Sequence, residues 1–230
     1  MQPSRELVTL SVILPTHNEA RSIERLLVHL KGLGPEEVIV VDGESSDSTS
    51  EIASQYTKVL RAPACRAVQM NEGAGAASGD VLLFLHADTL PANGALDAIR
   101  RAMADPRVIG GNLDVRYEGG DLAAALFTLI NRWRRCFGVF YGDSGIFCRR
   151  SVFESLGGYR PWPILEDYEF ARRLWRSGRL AFLDAPLWVS ARRWRKSGLV
   201  RTMWLWFWIQ ALYLAGVSPH RLARWYRPVR

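Results

Sequence analysis

The chain has 230 residues, 48% of them hydrophobic and 23% charged. That suffices for one large domain, or one domain with a small appendage, and excludes disordered, collagen-like and disulfide-scaffold classes. Three widely spaced cysteines, Cys65, Cys136 and Cys148, form no CxxC pair, which argues against zinc and suits a reducing compartment.

Net charge is +7 and the pI is near 9.7. Nucleic acid, an anionic membrane surface and an anionic small substrate compete as partners. The positive excess lies late, in Arg192, Arg193, Arg195 and Lys196, then in Arg221, Arg224, Arg227 and Arg230. These clusters flank an intensely apolar segment, an arrangement that suits a membrane surface better than a nucleic-acid groove. No apolar stretch follows the charge of Met1 to Glu6, so no signal peptide is expected and the expected setting is cytosolic.

In chain order, Val8 to Leu14 is a β-branched apolar run that predicts a buried parallel strand before Pro15. Glu19 to Lys31 has helical spacing, with Ile23, Leu26, Leu27 and Leu30 on one side. Glu37 to Val41 predicts a second strand, and Asp47 or Ser48 can cap a helix reaching Tyr56. Lys58 to Leu60 reads as a strand, Arg66 to Ser78 as a helix, and Val81 to Leu85 as a strand ending at His86-Ala87-Asp88. Asn93 is expected to cap a helix to Ala104, and Val108 to Tyr117 to form a strand crossing the sheet edge. Asp121 to Arg135 predicts a helix with a basic end, Gly145 to Cys148 a short strand, Glu166 to Arg176 a helix, and Ser197 to Gly216 a long apolar helix.

Strands alternating with helices predict an α/β fold with a mostly parallel sheet. Ligands in such sheets bind beyond the carboxyl ends of the strands. Those ends carry Thr16, His17 and Asn18, then Asp42, then His86 and Asp88.

Each candidate has a plain structural alternative. Asp88 can hold Mg²⁺ or Mn²⁺ bridging a diphosphate, or cap the turn before Pro91. Asp42 can accept bonds from a base or ribose, or serve an Asp-Gly turn. Arg66 can grip a phosphate bidentately, or lie on a solvated helix face with Gln69 and Asn71. Glu166-Asp167 can supply a general base, or complement the helix dipole. The aromatic segment Leu199 to Val217 is apolar all round and barely long enough to span a bilayer. A helix lying in the membrane interface fits it; a core helix and a homo-oligomer interface are the alternatives.

Pro15-Thr16-His17-Asn18-Glu19, Val40-Val41-Asp42-Gly43 with Ser45, Phe84-Leu85-His86-Ala87-Asp88 and Glu166-Asp167 occur in that order. The set resembles the GT-A family of inverting glycosyltransferases often called family 2, from about Leu10 to Arg176. The end, Ser190 to Trp194 and on to Pro219, resembles a small bacterial subgroup, some of whose members are described as carotenoid glycosyltransferases. The resemblance implies a Rossmann-like GT-A domain over residues 1–190 and a basic, aromatic helical tail over 191–230. It implies that Pro15, Thr16, His17 and Asn18 line the nucleotide and that Asp42 meets base or ribose. Arg66, Asn71, His86, Ala87 and Glu166 fall among the donor contacts, Asp88 takes the last place of the metal-binding Asp-x-Asp, and Asp167 takes that of the catalytic base.

Three departures stand out. Asp42, followed by Gly43, stands single where many members have paired aspartates. His86 replaces the first acid of Asp-x-Asp, which leaves less charge for a cation. Arg193-Trp194 lacks the preceding Gln of processive synthases, so polymer synthesis is not inferred. The reaction implied moves a sugar from a nucleotide-diphospho-sugar, UDP-linked by expectation, to an acceptor hydroxyl that lipids or carotenoids could offer. A sugar nucleotidyltransferase would carry a Gly-rich loop after the first strand, where this chain has Pro15 to Glu19. A non-catalytic membrane- or nucleic-acid-binding module would leave the aligned strand-end acids unexplained.

Overall fold

The computed structural model describes residues 8–118, 122–190 and 199–225. Its first half alternates as the hydrophobic pattern predicts. Strand β1 (Leu10–Thr16) is followed by helix α1 (Ile23–Leu33), β2 (Glu37–Asp42), α2 (Thr49–Ser54), β3 (Lys58–Arg61), α3 (Arg66–Gly75) and β4 (Val81–Phe84). β1 pairs in parallel with β2, Thr16 opposite Asp42, and with β4, Ile13 opposite Phe84. Successive side chains of a strand point to opposite faces. Val12, Leu14, Val40 and Leu83 accordingly enter one core layer, with the Ile23, Leu26 and Leu30 stripe of α1. Ile13, Ile39, Val41, Leu82 and Phe84 enter the other, beneath Ala67, Met70 and Ala74 of α3. Both faces being covered explains why these strands read as continuous apolar runs.

The second half holds β5 (Thr89–Pro91), α4 (Ala95–Met103), β6 (Val108–Tyr117), α5 (Leu122–Arg135), β7 (Phe147–Arg149), α6 (Arg150–Ser155), α7 (Glu166–Ser177), β8 (Arg179–Val189), α8 (Leu199–Leu214) and α9 (Pro219–Ala223). The eight strands run β3-β2-β1-β4-β7-β6-β8-β5. Beyond β4 the sheet is mixed: β7 is antiparallel to β4 and β6, β6 is parallel to β8, and β5 is antiparallel to β8.

Three expectations change here. β6 is interior, between β7 and β8, and does not cross the sheet edge. The helix expected from Asn93 starts at Ala95 after Gly94, whose φ of 79° redirects the chain in the left-handed region. β5 and β8 were not anticipated. β8 carries Asp184 and Pro186, shows no clean burial alternation and shifts register against Asn112 and Asp114. A proline cannot donate to the ladder, so this segment does not read as a strand.

The expected tail helix forms over 199–214. Ile209 clusters with Ile164, just before α7, and with Leu222 of α9. Among the described residues no helix is long and apolar enough to cross a membrane. The cluster Arg192, Arg193, Arg195 and Lys196 lies outside the described residues.

Candidate active site

The chain runs from β1 to β2 on one side and reaches β4 on the other, so the crevice falls at the carboxyl ends of β1 and β4. Thr16 and Asp42 end adjacent strands and are almost fully buried. Gln69 of α3 ties those ends together: its amide donates to the carbonyls of Thr16 and Val41, each at 2.7 Å. It packs so tightly that a Cβ on Gly43 would sit 2.8 Å from its nitrogen. Asp42 accepts from the Ser45 hydroxyl at 2.5 Å and the Ser45 N–H at 3.1 Å. His17 Nδ1 meets the Gly43 carbonyl at 2.5 Å. Asn18 accepts from the Ser46 N–H at 2.8 Å and donates its own N–H to the Ser45 hydroxyl oxygen. The loops after β1 and β2 thus form one hydrogen-bonded wall.

His86, Ala87 and Asp88 leave β4 toward the same crevice. The turn is closed by Thr89, whose N–H and hydroxyl both donate to the His86 carbonyl. His86 and Asp88 are half-buried, and Ala87 is buried. Asp167, in the first turn of α7, is brought to the same place by a short 3₁₀ turn, Gly142–Ser144. The Gly142 N–H donates to Asp167 Oδ2 at 2.8 Å, and the Tyr168 N–H to Oδ1 at 2.7 Å. A Cβ on Gly142 would lie 3.0 Å from His86 Nε2 and 3.1 Å from Asp167 Oδ2. The imidazole and the carboxylate therefore converge on one α-carbon, where a methyl group would force one of them to yield by a few tenths of an ångström.

Glu166, one residue earlier, is buried and faces Arg66 of α3, Nε to Oε1 2.5 Å. Among the described residues its second oxygen has no hydrogen-bond partner. Burial pushes its carboxyl above the usual range, Arg66 opposes this, and neighbouring Asp167 adds to it. Asn71 exchanges two 2.8 Å hydrogen bonds with the backbone of Tyr159. Its amide thus pins the Gly158–Tyr159 turn beneath the site.

The helix bearing Asp167 is supported by aromatic packing. Phe170 meets Tyr159 with ring centroids 4.4 Å apart, and Tyr159 meets Phe84 at 5.0 Å. Each such pair contributes roughly 0.5–1.5 kcal/mol beyond its buried area. Tyr168 stacks on Tyr141 at 5.7 Å and meets Tyr213 of α8 edge-on at 5.9 Å. Burial, eased by Arg134, pushes the Tyr141 hydroxyl up to about 12, so it stays a neutral donor. Among the described residues, the non-glycine positions with positive φ are Asn18, Glu44 and Leu165. Each sits in a loop at this site, where strained backbone is characteristically retained.

Sequence reasoning missed Gln69, Ser45, Gly142, Tyr141 and Tyr168 as parts of this arrangement. Only the Gly43-x-Ser45 spacing carried a signal; the others act through contacts distant in the chain. No group of three or more His, Cys, Asp or Glu able to hold a metal occurs among the described residues.

Residues 11–157 match the model of glycosyl transferase family 2. The match covers more than half of the chain, which belongs to that family. The chain is 26% identical over 232 residues to a Bacillus subtilis protein named probable glycosyltransferase YdaM, covering 87% of this chain and 55% of the relative. It is 32% identical over 196 residues to the O-antigen chain rhamnosyltransferase WbaN of Salmonella anatum, covering 73% and 61%. The chain thus spans little more than half the length of these two relatives. Among solved structures it superposes on S. aureus TarS 1-349 in complex with UDP-GlcNAc with a TM-score of 0.67 at 19% identity, over 79% of this chain and 58% of that one. The mannosyltransferase PcManGT of Pyrobaculum calidifontis, in complex with GDP-Man and Mn²⁺, gives 0.61 at 21% identity, over 79% and 55%. These likenesses establish the GT-A fold, a mixed α/β sheet flanked by helices.

Proposed function

We propose that the chain transfers a sugar from a nucleotide-diphospho-sugar to an acceptor hydroxyl with inversion, Asp167 acting as general base. The observation that carries this is the convergence of His86 and Asp167 on Gly142, beside the wall that holds Asp42. The nucleotide lies along Pro15, Thr16, His17, Asn18 and Asp42, with Asp42 accepting from base or ribose. The bound nucleotide-sugars of TarS and PcManGT support a donor of this class, and a UDP-linked one is our choice. Arg66, Asn71, His86, Ala87 and Glu166 complete the donor side. Arg66 is shared with buried Glu166, and Asn71 acts through the Tyr159 turn.

The donor set suits a divalent cation of a particular kind. One carboxylate, Asp88, beside an imidazole cannot cage an ion. Mg²⁺ and Mn²⁺, however, bind through one or two carboxylates with substrate phosphates completing the shell. Asp88 would hold such an ion, whose charge offsets that building on the leaving diphosphate.

This chain's own residues supply the rest. The Gly142 and Tyr168 N–H groups fix both Asp167 oxygens, leaving a lone pair aimed at the acceptor. Asp167 takes the hydroxyl proton as the oxygen attacks the anomeric carbon from the face opposite the diphosphate. The single displacement inverts that centre, and the base contributes roughly 10²–10⁴-fold. The tail over 191–230 would hold the enzyme at the cytoplasmic face of a membrane, where a lipid-like acceptor is reached.

A thermal-shift screen of nucleotide-sugars with and without Mn²⁺, followed by product analysis, tests the reading. A selective donor should raise the melting temperature by mass action and yield a nucleoside diphosphate. Pyrophosphate as product, or no stabilising donor in the panel, would overturn it.

A further inference from the structure

The basic end of α5 is engaged by groups of the protein itself. Arg132 donates to buried Asp114 at 2.8 and 2.5 Å, and Arg135 lies 3.8 Å from it. The Arg134 guanidinium sits 4.8 Å over the Tyr141 ring. What α5 presents to solvent is apolar. Leu129 and Trp133 follow one another a turn apart, opposite inward-facing Phe127 and Arg135, and Phe137 packs on Trp133 at 5.0 Å. α8 is built the same way. Ile209 is buried, Trp206 meets Phe127 at 6.3 Å and Tyr213 meets Tyr168. Trp204, Phe207 and Trp208 share the other face. These six outward side chains are between 52% and 66% exposed. Half of five aromatic rings at about 150–250 Å² each is on the order of 500 Å². The Phe127–Trp206 contact sets the two helices beside each other, and exposed apolar surface of that size marks an interaction site.

We infer that α5 and α8 together form one docking face for an anionic lipid bilayer, lying in its interface. Charge complementarity selects this occupant. No Asp or Glu follows Asp184, while Arg192, Arg193, Arg195 and Lys196 precede α8 in the chain and Arg221 and Arg224 follow it. Tryptophan prefers the headgroup level, and each nearby Lys or Arg adds about 1 kcal/mol of attraction to an anionic leaflet. α8 turns Trp204, Phe207 and Trp208 outward and keeps Trp206, Ile209 and Tyr213 against the protein, the arrangement of a helix lying in the interface. Docking this way also orients the site, since Tyr213 and Gln210 of α8 touch Tyr168 and Tyr141 beside Asp167. That last consequence rests on the proposed transfer reaction; docking does not.

The test is flotation of the full chain with phosphatidylcholine vesicles, with and without phosphatidylglycerol, at low and high salt. The expected result is salt-sensitive flotation with the anionic vesicles. The pairs Trp133→Ser/Phe137→Ser on α5 and Trp204→Ser/Phe207→Ser on α8 should each weaken partition by about tenfold, with unchanged nucleotide-induced thermal shifts. Leu129→Glu, an exposed change that removes no buried contact, gives the same readout should a pair fail to fold. α5 variants floating like the wild type would overturn the shared face. So would a wild type that stays at the bottom and sediments as a dimer that the α5 pair dissociates, because the occupant is then a second copy. Flotation persisting in a chain that binds no nucleotide-sugar would retain the docking face and remove the transfer reading.

Discussion

Replacing Gly142 by alanine adds one methyl group where the site has no space. Its φ is not in the left-handed region, so the backbone accepts alanine. The added carbon would stand 3.0 Å from His86 Nε2, 3.1 Å from Asp167 Oδ2 and 3.3 Å from Asp167 Cβ. Comfortable contacts lie nearer 3.5–4.0 Å, so each side must yield by roughly 0.5 Å. Moving Asp167 away stretches its 2.8 Å bond from the Gly142 N–H; moving the turn away carries that donor with it. Stability should fall by about 1–2 kcal/mol: overpacking costs about 1–3 kcal/mol, and the stiffer unfolded chain returns about 0.4–1 kcal/mol. Catalysis should suffer more, because a misplacement on this scale costs up to about 10²-fold. We expect Gly142→Ala to lower kcat by about 10–100-fold with donor affinity near wild type. The assay is nucleoside-diphosphate release with the donor found by screening, beside donor titration by thermal shift. Wild-type turnover in a folded Gly142→Ala protein would refute the idea that this contact sets the reacting geometry.

Other perturbations separate structural from chemical roles. Asp167→Asn should keep donor binding while transfer falls by about 10²–10⁴-fold; retained turnover would remove Asp167 as the base. Glu166 has a carboxyl raised chiefly by burial, so the folded state holds its proton more firmly than the unfolded chain. Its contribution to stability then declines as pH rises from the ordinary carboxylate value through the raised one. Glu166→Gln should flatten that slope in urea titrations across this range, and an unchanged slope would assign the dependence elsewhere. Asp114 is the opposite case: burial opposes its ionisation, but hydrogen bonds from Arg132 and Arg116 outweigh it and hold the carboxyl low. Its contribution is full above the ordinary carboxylate range and is lost as pH falls through the lowered value. Asp114→Asn should cost roughly 1–3 kcal/mol by weakening the hydrogen bonds that Arg132 and Arg116 donate to the buried carboxylate, read as a lower denaturation midpoint, with less acid sensitivity in what remains.

The amino-acid sequence alone determined the parallel half of the fold. Continuous apolar runs at 10–14, 37–41 and 81–85, separated by the Ile23, Leu26, Leu30 stripe and the Ala67–Met70–Ala74 face, can bury their surface only as strands covered on both sides. That periodicity also delivered Thr16, Asp42 and His86 to one edge, because parallel strands share a direction. The antiparallel half was opaque: β8 pairs across Pro186 and a register shift, and β5 has three residues, too few for a period. Tertiary structure alone decided what Asp167 faces, since Gly142, which donates to it, and His86, which crowds the same glycine, lie 25 and 81 positions away in the chain. It also refined the reading of α5. Residue pattern predicted only a helix with a basic end, whereas a buried carboxylate on β6 engages Arg132 and Arg135 and the aromatic face is left to solvent. Periodicity records which side chains share a face; it does not record which face another element covers.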